Sequence, residues 1–281
     1  MIRRESCSNR RIVVGSAVLI ALAALSSPTL RGTFAAAAGQ TRTHVQRTLT
    51  AALNTSAKEM AMPFRVGERL NYNVSWSSSS TAASVELSIP GKRDLYGWQT
   101  WHFRATAHTL SPVRTLFPID DELDSYTDAA TLESRIYQTY LNELGRKSDQ
   151  TFQFVPEGQT PRAPGPGVVV MPGTRDPLGA FYELRGIDWR HENEASARVY
   201  DGSHFYEMRA RKEASGEAVE VSAGRFSSTR IGIQVSEQGR PVSGVHFTVW
   251  LAENSSRTPV QMQADMPFGT LRIEMIASST P

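Results

Sequence analysis

Residues 70–76 read Leu70-Asn71-Tyr72-Asn73-Val74-Ser75-Trp76, in which apolar and polar side chains alternate without interruption. Side chains of a β-strand point alternately to the two faces of its sheet, so this stretch predicts a strand with one buried and one solvated face. The same alternation recurs in later runs, at residues 85–89, 101–107, 195–199, 204–208, 231–235, 245–251, 260–266 and 271–275. The repetition predicts an all-β domain.

Turn sequences separate these runs, among them Asp201-Gly202, Gly239-Arg240-Pro241 and Asn254-Ser255-Ser256. Asp-Gly between two alternating runs is a strong signal for a hairpin. Short strands that are joined by tight turns favour antiparallel pairing between neighbours. We therefore expect an antiparallel meander of about a dozen strands.

One short helix interrupts the strand pattern. Asp176 is a good N-cap, Pro177 suits the first helical position, and Gly186 can end the helix. These signals predict a helix over residues 177–185 that plugs the end of a curved sheet. Just before it, Pro161–Pro172 contains four prolines and is predicted to be a loop.

The first 39 residues have the pattern of an export signal. Four arginines among the first eleven residues precede the uncharged run Ile12–Leu30, and small residues follow up to Gly39. We expect a polar linker over residues 40–62, a single β-rich domain over residues 63–281, and a location in the periplasm or cell envelope. Two export routes, general secretion and twin-arginine transport, stay open, as does an uncleaved anchor; cleavage would leave no transmembrane segment.

Charge and cysteine content exclude several classes of protein. The chain has 30 basic and 28 acidic side chains, and removal of the five arginines and one glutamate of residues 1–40 leaves 25 and 27, a net charge of −2. Such a balance is untypical of proteins that bind nucleic acid. Cys7, the only cysteine, lies inside the signal, so we expect a cysteine-free mature chain without disulfides, and we expect no metal and no cofactor.

The sequence contains no motif for nucleophilic catalysis, phosphate binding or dinucleotide binding. His102 and His108 are six residues apart on one strand, about 20 Å, so they cannot hold one metal ion unless the strand is broken. The acidic run Asp120–Asp128 is either a solvated strand face, a calcium site or a carboxylate pair for glycoside hydrolysis. The last interpretation predicts that Asp121→Asn and Asp124→Asn abolish an activity.

Aromatic side chains stack on sugars and pack against acyl chains, and they also fill β-sheet cores. An arginine at the end of the predicted helix can bind an anionic group or form a salt bridge. On the ligand interpretation, the predicted binding residues are Trp101, Tyr126, Tyr140, Tyr182, Arg185 and Trp250.

The segment Pro63–Trp76 resembles the opening of the bacterial envelope family known as domain of unknown function 3108. The resemblance continues, in the family's order and up to about residue 276, in Asp124–Asp128, Asp176–Arg185, Tyr200-Asp201-Gly202, Gly224-Arg225-Phe226, Val249-Trp250-Leu251 and Arg257–Val260. It implies an exported, mostly antiparallel protein whose long sheet curls into a roll or open barrel, and it implies no enzymatic activity.

We therefore expect a non-catalytic envelope protein that holds a lipid or glycolipid in its curved sheet. One alternative is a scaffold that binds other envelope proteins through an exposed edge or patch and has no small-molecule pocket. The other alternative is an envelope polysaccharide hydrolase.

Overall fold

The computed structural model of the chain describes residues 62–76, 81–266 and 269–279. The predicted export signal with Cys7, the predicted linker up to residue 61, and Ser77–Ser80 lie outside the described residues. Within these ranges the all-β prediction is confirmed, because the domain is built from fifteen strands and only two helices.

The first half of the domain contains seven strands and one short helix, α1 (Val113–Leu116), between the third and fourth strands. The strands are β1 (Arg69–Trp76), β2 (Thr81–Leu95), β3 (Trp98–Thr109), β4 (Asp120–Asp128), β5 (Ser134–Glu143), β6 (Arg146–Pro156) and β7 (Gly167–Val170). The alternating runs at residues 70–76, 85–89 and 101–107 lie within β1, β2 and β3, so those three predictions are confirmed.

The second half contains the longer helix, α2 (Pro177–Gly186), and eight strands. The strands are β8 (Thr174–Arg175), β9 (Glu194–Tyr200), β10 (Phe205–Val221), β11 (Gly224–Glu237), β12 (Arg240–Pro241), β13 (His246–Ala252), β14 (Pro259–Met266) and β15 (Gly269–Ser279). The predicted Asp201-Gly202 hairpin is confirmed, because Phe205 pairs with Tyr200 and the two strands run antiparallel from there.

Fourteen strands form one sheet in the order β7-β6-β5-β4-β3-β2-β1-β15-β14-β13-β11-β10-β9-β8, and β12 pairs with β11. The first strand, β1, pairs with the last, β15, in the middle of the sheet. On either side of this pair the strands follow chain order as antiparallel neighbours, except at the two sheet edges. The two edges, β7 and β8, are separated by only three residues of chain, and the sheet is a nearly closed barrel.

The sheet edges differ from the predicted pattern. The pairs β6–β7 and β8–β9 are parallel, whereas the other pairs of neighbouring strands in the described part of the chain are antiparallel. The predicted loop Pro161–Pro172 is therefore wrong for Gly167–Val170. Those four residues contain no proline, so each keeps the backbone N–H that a ladder with β6 can use.

Helix α2 begins and ends where the sequence predicts. Asp176 Oδ1 accepts a hydrogen bond from the Gly179 backbone N–H at 2.8 Å, and the helix ends at Gly186. Eight of its ten residues are buried, so the helix lies inside the barrel. Gly179 packs tightly against β4 and β5. A Cβ atom added there would lie only 3.0 Å from Ser134 Oγ and Thr127 Cγ2, so a larger residue would not fit without a shift.

Candidate functional site

Helix α2 divides the barrel interior into two sides. On one side, which we call the packed side, Phe64, Trp101, Phe103 and Tyr182 form a buried aromatic cluster. Tyr182 stacks on Phe103 with ring centroids 3.8 Å apart, and Phe64 meets Trp101, Phe103 and Tyr182 edge-on at 5.3, 5.5 and 5.3 Å. Such offset and edge-to-face contacts stabilise aromatic cores. Trp101 and Tyr182, two of the predicted ligand residues, thus lie in close-packed core.

Arg185, a third predicted ligand residue, forms a buried ion pair on the packed side. Its Nη1 donates to Glu68 Oε1 at 2.7 Å and its Nη2 to Glu68 Oε2 at 3.1 Å, and both side chains are nearly inaccessible. Burial lowers the pKa of Arg185, but the hydrogen bond and charge of Glu68 raise it by more, so the guanidinium stays charged. This pair gives Arg185 a structural role, and its role toward a ligand stays a prediction.

Tyr126 and Tyr140 lie on the other surface of the barrel wall, in a groove on the outer face of β3, β4 and β5. Tyr126 stacks on His102 with centroids 4.5 Å apart. The floor of this outer groove is an ionic network: Asp124 accepts from Arg104 Nε at 2.8 Å and lies 2.5 Å from His102 Nε2. Burial raises the pKa of Asp124, but its hydrogen bonds with His102 and Arg104 lower it below the usual range.

The acidic run Asp120–Asp128 forms β4, and most of its carboxylates meet arginines. Arg114 contacts Asp120 at 2.7 Å, and Arg135 contacts Asp128 at 2.9 Å. Asp121 differs, because it is buried, accepts the Asn142 backbone N–H at 2.8 Å and has the Glu143 carboxyl rather than an arginine as its charged neighbour. Burial, together with the nearby Glu143 carboxyl, raises the pKa of Asp121 to about 7. Within the described ranges, no three His, Asp or Glu side chains are grouped closely enough to hold a metal ion.

Trp250, the sixth predicted ligand residue, is buried on β13 between Val249 and Leu251, with Arg230 and Gln261 as its cross-strand partners. Alternation along the strand directs it to the face opposite Val249 and Leu251. The six predicted residues are therefore distributed over the packed side, the outer groove and β13, and the structure does not bring them together.

The second side of the interior, which we call the apolar pocket, is not filled. Residues of α2 at helical spacing, Pro177, Ala180, Phe181 and Leu184, form one wall. The inner face of the sheet forms the other, lined by Val199, Tyr206, Met208, Ile233, Val235, Phe247, Val249 and Met262; Thr248 and Gln263, which alternate with these along β13 and β14, also border the cavity. The cavity holds about 70 Å³, and about 680 Å³ of empty space surrounds it once the volume open to solvent is included.

Sequence reasoning missed the apolar pocket because its residues look like ordinary core. Val199, Met208, Ile233 and Met262 occupy the inward positions of alternating runs, which a packed core would also require. Alternation identifies the face of a strand but not what lies opposite that face. The available signal was methionine at inward positions of β10 and β14, because methionine is common where cores must adapt to irregular space.

Solved structures resemble the chain in outline but share little sequence with it. A β-barrel-like protein of domain of unknown function DUF1849 from Brucella abortus is 10% identical, with a TM-score of 0.48 over 78% of this chain and 99% of that one. A candidate exported protein with a YmcC-like fold from Bacteroides fragilis is 9% identical, with a TM-score of 0.37 over 78% and 98%. A candidate lipoprotein from Parabacteroides distasonis is 9% identical, with a TM-score of 0.38 over 78% of this chain and 98% of that one.

No curated protein matches the sequence. Neither helix in the described ranges has the length and apolar character that crossing a membrane requires. The family described as "Protein of unknown function (DUF3108)" matches residues 71–276, which cover the barrel from β1 to β15 and confirm the resemblance found in the sequence. The chain belongs to this family of unknown function.

Proposed function

We propose that the protein is a non-catalytic component of the cell envelope that binds one apolar chain of a lipid or glycolipid in the apolar pocket. The observation that carries this proposal is the contrast between the two sides of α2. The packed side is filled by rings at contact distance, whereas the pocket side leaves a cavity whose wall is almost wholly apolar. Sites for small molecules are typically concave and apolar, with few polar groups.

The size of the cavity limits the ligand. An enclosed cavity of about 150 Å³ accepts benzene, and the apolar pocket has about 70 Å³. As it stands, the pocket holds only the end of one alkyl chain, so a lipid with several chains would place the rest outside. Met208 and Met262 line the pocket, and their unbranched side chains can change rotamer to lengthen it.

A second candidate function is a scaffold that binds envelope proteins. The observation in its favour is the exposed apolar surface where the barrel edges meet: Val169 on β7 is 65% exposed and Met171, just after it, is 57% exposed. On this alternative the pocket is only a packing defect, and filling it leaves function unchanged.

A matched pair of tryptophan variants tests the proposal. Val235 faces the pocket, and its neighbour Gln234 is exposed on the opposite side of β11. We expect the unmodified protein to bind decanol in isothermal titration calorimetry, because the end of a single alkyl chain is narrow enough to enter the pocket. Val235→Trp, which fills the pocket, should weaken binding about tenfold or more, since about 1.4 kcal/mol of lost burial suffices for a factor of ten.

Gln234→Trp is the control, because it adds the same side chain to the same strand without entering the pocket. Equal binding of decanol by both variants, or no binding of decanol to the unmodified protein, would contradict the proposal and favour the scaffold. Native mass spectrometry of protein recovered from bacterial envelopes, followed by lipid analysis, then names the natural ligand.

A further inference from the structure

A basic groove lies on the outer face of the barrel where β8, β9 and β10 meet. It encloses about 450 Å³, and its charged lining residues are Arg175, Arg198, Arg209 and Glu207. Pro172 and Gly173, from the short connection between the two sheet edges, complete one rim. We call it the seam groove. Because Glu183 pairs with Arg175, the excess of positive charge in the groove comes from Arg198 and Arg209 against Glu207.

Two of these arginines are placed to converge. Arg198 on β9 lies opposite Glu207 on β10, and Arg209 lies opposite Ser196, so the two arginines are diagonal neighbours on one face. Diagonal partners in an antiparallel pair are about 7–8 Å apart, within reach of long side chains. Both are exposed, and neither has an ion-pair or hydrogen-bond partner among the residues that the structure describes. An arginine whose guanidinium group has no partner inside the protein can donate hydrogen bonds to the oxygens of a bound carboxylate or phosphate.

Arg175 is held in place from behind. Its Nη2 contacts Glu183 Oε1 at 2.7 Å and donates to the Thr131 carbonyl oxygen at 2.9 Å, and its Nη1 donates to the Gly173 carbonyl oxygen. Its Nε is buried and has no hydrogen-bond partner in the described part of the chain. Arg175 is thus held by partners inside the protein, and Glu183 offsets its charge, whereas Arg198 and Arg209 have no such partners in the described ranges.

The seam groove and the apolar pocket lie on opposite faces of the same two strands. On β9, Arg198 lines the groove and the next residue, Val199, lines the pocket; on β10, Arg209 and Met208 have the same relation. The edge strand β8 pairs only with Arg198 and Val199, so it leaves most of β9 uncovered on that side. To reach the apolar pocket from the seam groove, the alkyl chain of a ligand must pass around this edge, because the strands of the sheet separate the two.

The surroundings of the seam groove suit an amphiphile rather than a free anion. Val169 and Met171 are largely exposed and immediately precede Pro172 and Gly173 at the rim. Apolar side chains next to arginines match a molecule that carries an anionic group directly on an alkyl chain. A free anion would gain nothing from the apolar rim.

We propose that the seam groove binds the phosphate group of an anionic amphiphile whose alkyl chain enters the apolar pocket. Arg198 and Arg209 hold the phosphate oxygens, and Arg175, fixed by its own partners, lines the groove beside them. This inference rests on the proposed function, because it names the chemical class of the ligand: a phosphate-bearing lipid or glycolipid rather than a neutral one.

The test compares decyl phosphate, decanol and inorganic phosphate by isothermal titration calorimetry, with both amphiphiles kept below their aggregation concentrations. We expect decyl phosphate to bind about tenfold or more tightly than decanol, because hydrogen bonds from guanidinium groups to phosphate oxygens are charge-assisted. The advantage should shrink as salt is added, because the groove is exposed. Inorganic phosphate should bind far more weakly than decyl phosphate.

The double variant Arg198→Ala/Arg209→Ala should lose the advantage of decyl phosphate and keep the affinity for decanol. Arg211→Ala is the matched control, because Arg211 follows on the same face of β10, is 77% exposed and lies outside the groove. It should leave both affinities unchanged.

Each contrary result has its own meaning. Equal binding of decanol and decyl phosphate overturns the headgroup site and leaves the proposed function intact. Failure of both amphiphiles overturns the proposed function as well. Inorganic phosphate that binds as tightly as decyl phosphate identifies a site for a free anion. Binding to anionic vesicles without binding of monomeric decyl phosphate identifies a membrane-docking surface.

Discussion

The two sides of α2 face the same barrel but are built from different kinds of side chain. Toward β3 the helix presents Tyr182 to a cluster of rings alone, and toward β10–β14 it presents Phe181 and Leu184 to a wall that is mostly branched aliphatic residues and methionine, with the rings of Tyr206 and Phe247 among them. Flat rings interlock at fixed angles and leave little space, whereas aliphatic and thioether side chains tolerate a gap between opposing walls. The comparison indicates that the packed side fixes the helix and the other side can accommodate a ligand.

Removal of one partner of the buried ion pair should show the difference between the two sides of α2 most strongly. Arg185→Met leaves the Glu68 carboxylate buried without its partner, and we expect the free energy of unfolding to fall by about 3–5 kcal/mol. Urea denaturation monitored by tryptophan fluorescence measures this. The double variant Glu68→Leu/Arg185→Met should recover most of the loss, because no lone charge is then left in the core.

Arg190 offers a control for that experiment. It pairs with Asp188 at 2.7 Å, but its side chain is 78% exposed, so Arg190→Met should change stability little. If Arg190→Met lowered the free energy of unfolding as much as Arg185→Met, burial would not explain the effect of the Arg185 variant. The ion pair of the packed side would then stabilise the protein no more than an exposed ion pair does.

Truncating one side chain on each side of α2 should show a smaller difference in the free energy of unfolding. Phe103 is fully buried between Phe64 and Tyr182, so Phe103→Ala should cost about 3–5 kcal/mol. Met208 is half-buried and already borders empty space, so Met208→Ala should cost only about 1–2 kcal/mol. Denaturation midpoints measure both variants, and equal losses would mean that the pocket side is as tightly packed as the other.

The remaining effect depends on pH and concerns Asp121, which borders the solvated outer groove at one end of β4. Its pKa is about 7 in the folded protein against 3.8 ordinarily, so the folded state retains a proton that the unfolded state has lost between those values. Stability from this group is therefore complete below about pH 4 and falls as the pH rises toward 7.

Asp121→Asn mimics the protonated form. We expect it to raise the melting temperature at pH 8 and to leave it nearly unchanged at pH 4. Asp120→Asn is the neighbouring control: the hydrogen bond from Arg114 lowers the pKa of Asp120, so its loss should destabilise at pH 8. The same Asp121 variant tests the hydrolase alternative, which requires it to abolish an activity.

Local signals predicted much of the fold. The alternation in Leu70–Trp76, the Asp176-Pro177 helix start and the Asp201-Gly202 turn each depend on neighbouring residues only, and each is found in the structure. The parallel strands at the sheet edges could not be predicted. The segment that forms β7 is flanked by prolines, and β8 has only two residues, too few for an alternating pattern. Their pairing depends on tertiary closure of the barrel rather than on local sequence.

The candidate site was harder to predict than the fold. The six expected ligand residues were selected because aromatic rings and arginine often bind ligands, yet Trp101 and Arg185 have partners inside the protein. The pocket residues Val199 and Ile233 carry no chemical signal of their own. What makes them a site is the space in front of them, and that depends on which strands curl toward α2.

The pairing of β1 with β15 has a consequence for how the barrel forms. Arg69 pairs with Ser279, 210 positions later, and this contact joins the two meanders. Contacts so distant in sequence slow folding, because the chain between them must lose its freedom first. Until β15 arrives, β1 presents an unpaired strand edge that can pair with other chains. Such a chain needs either protection during synthesis or low local concentration until its last strand is in place.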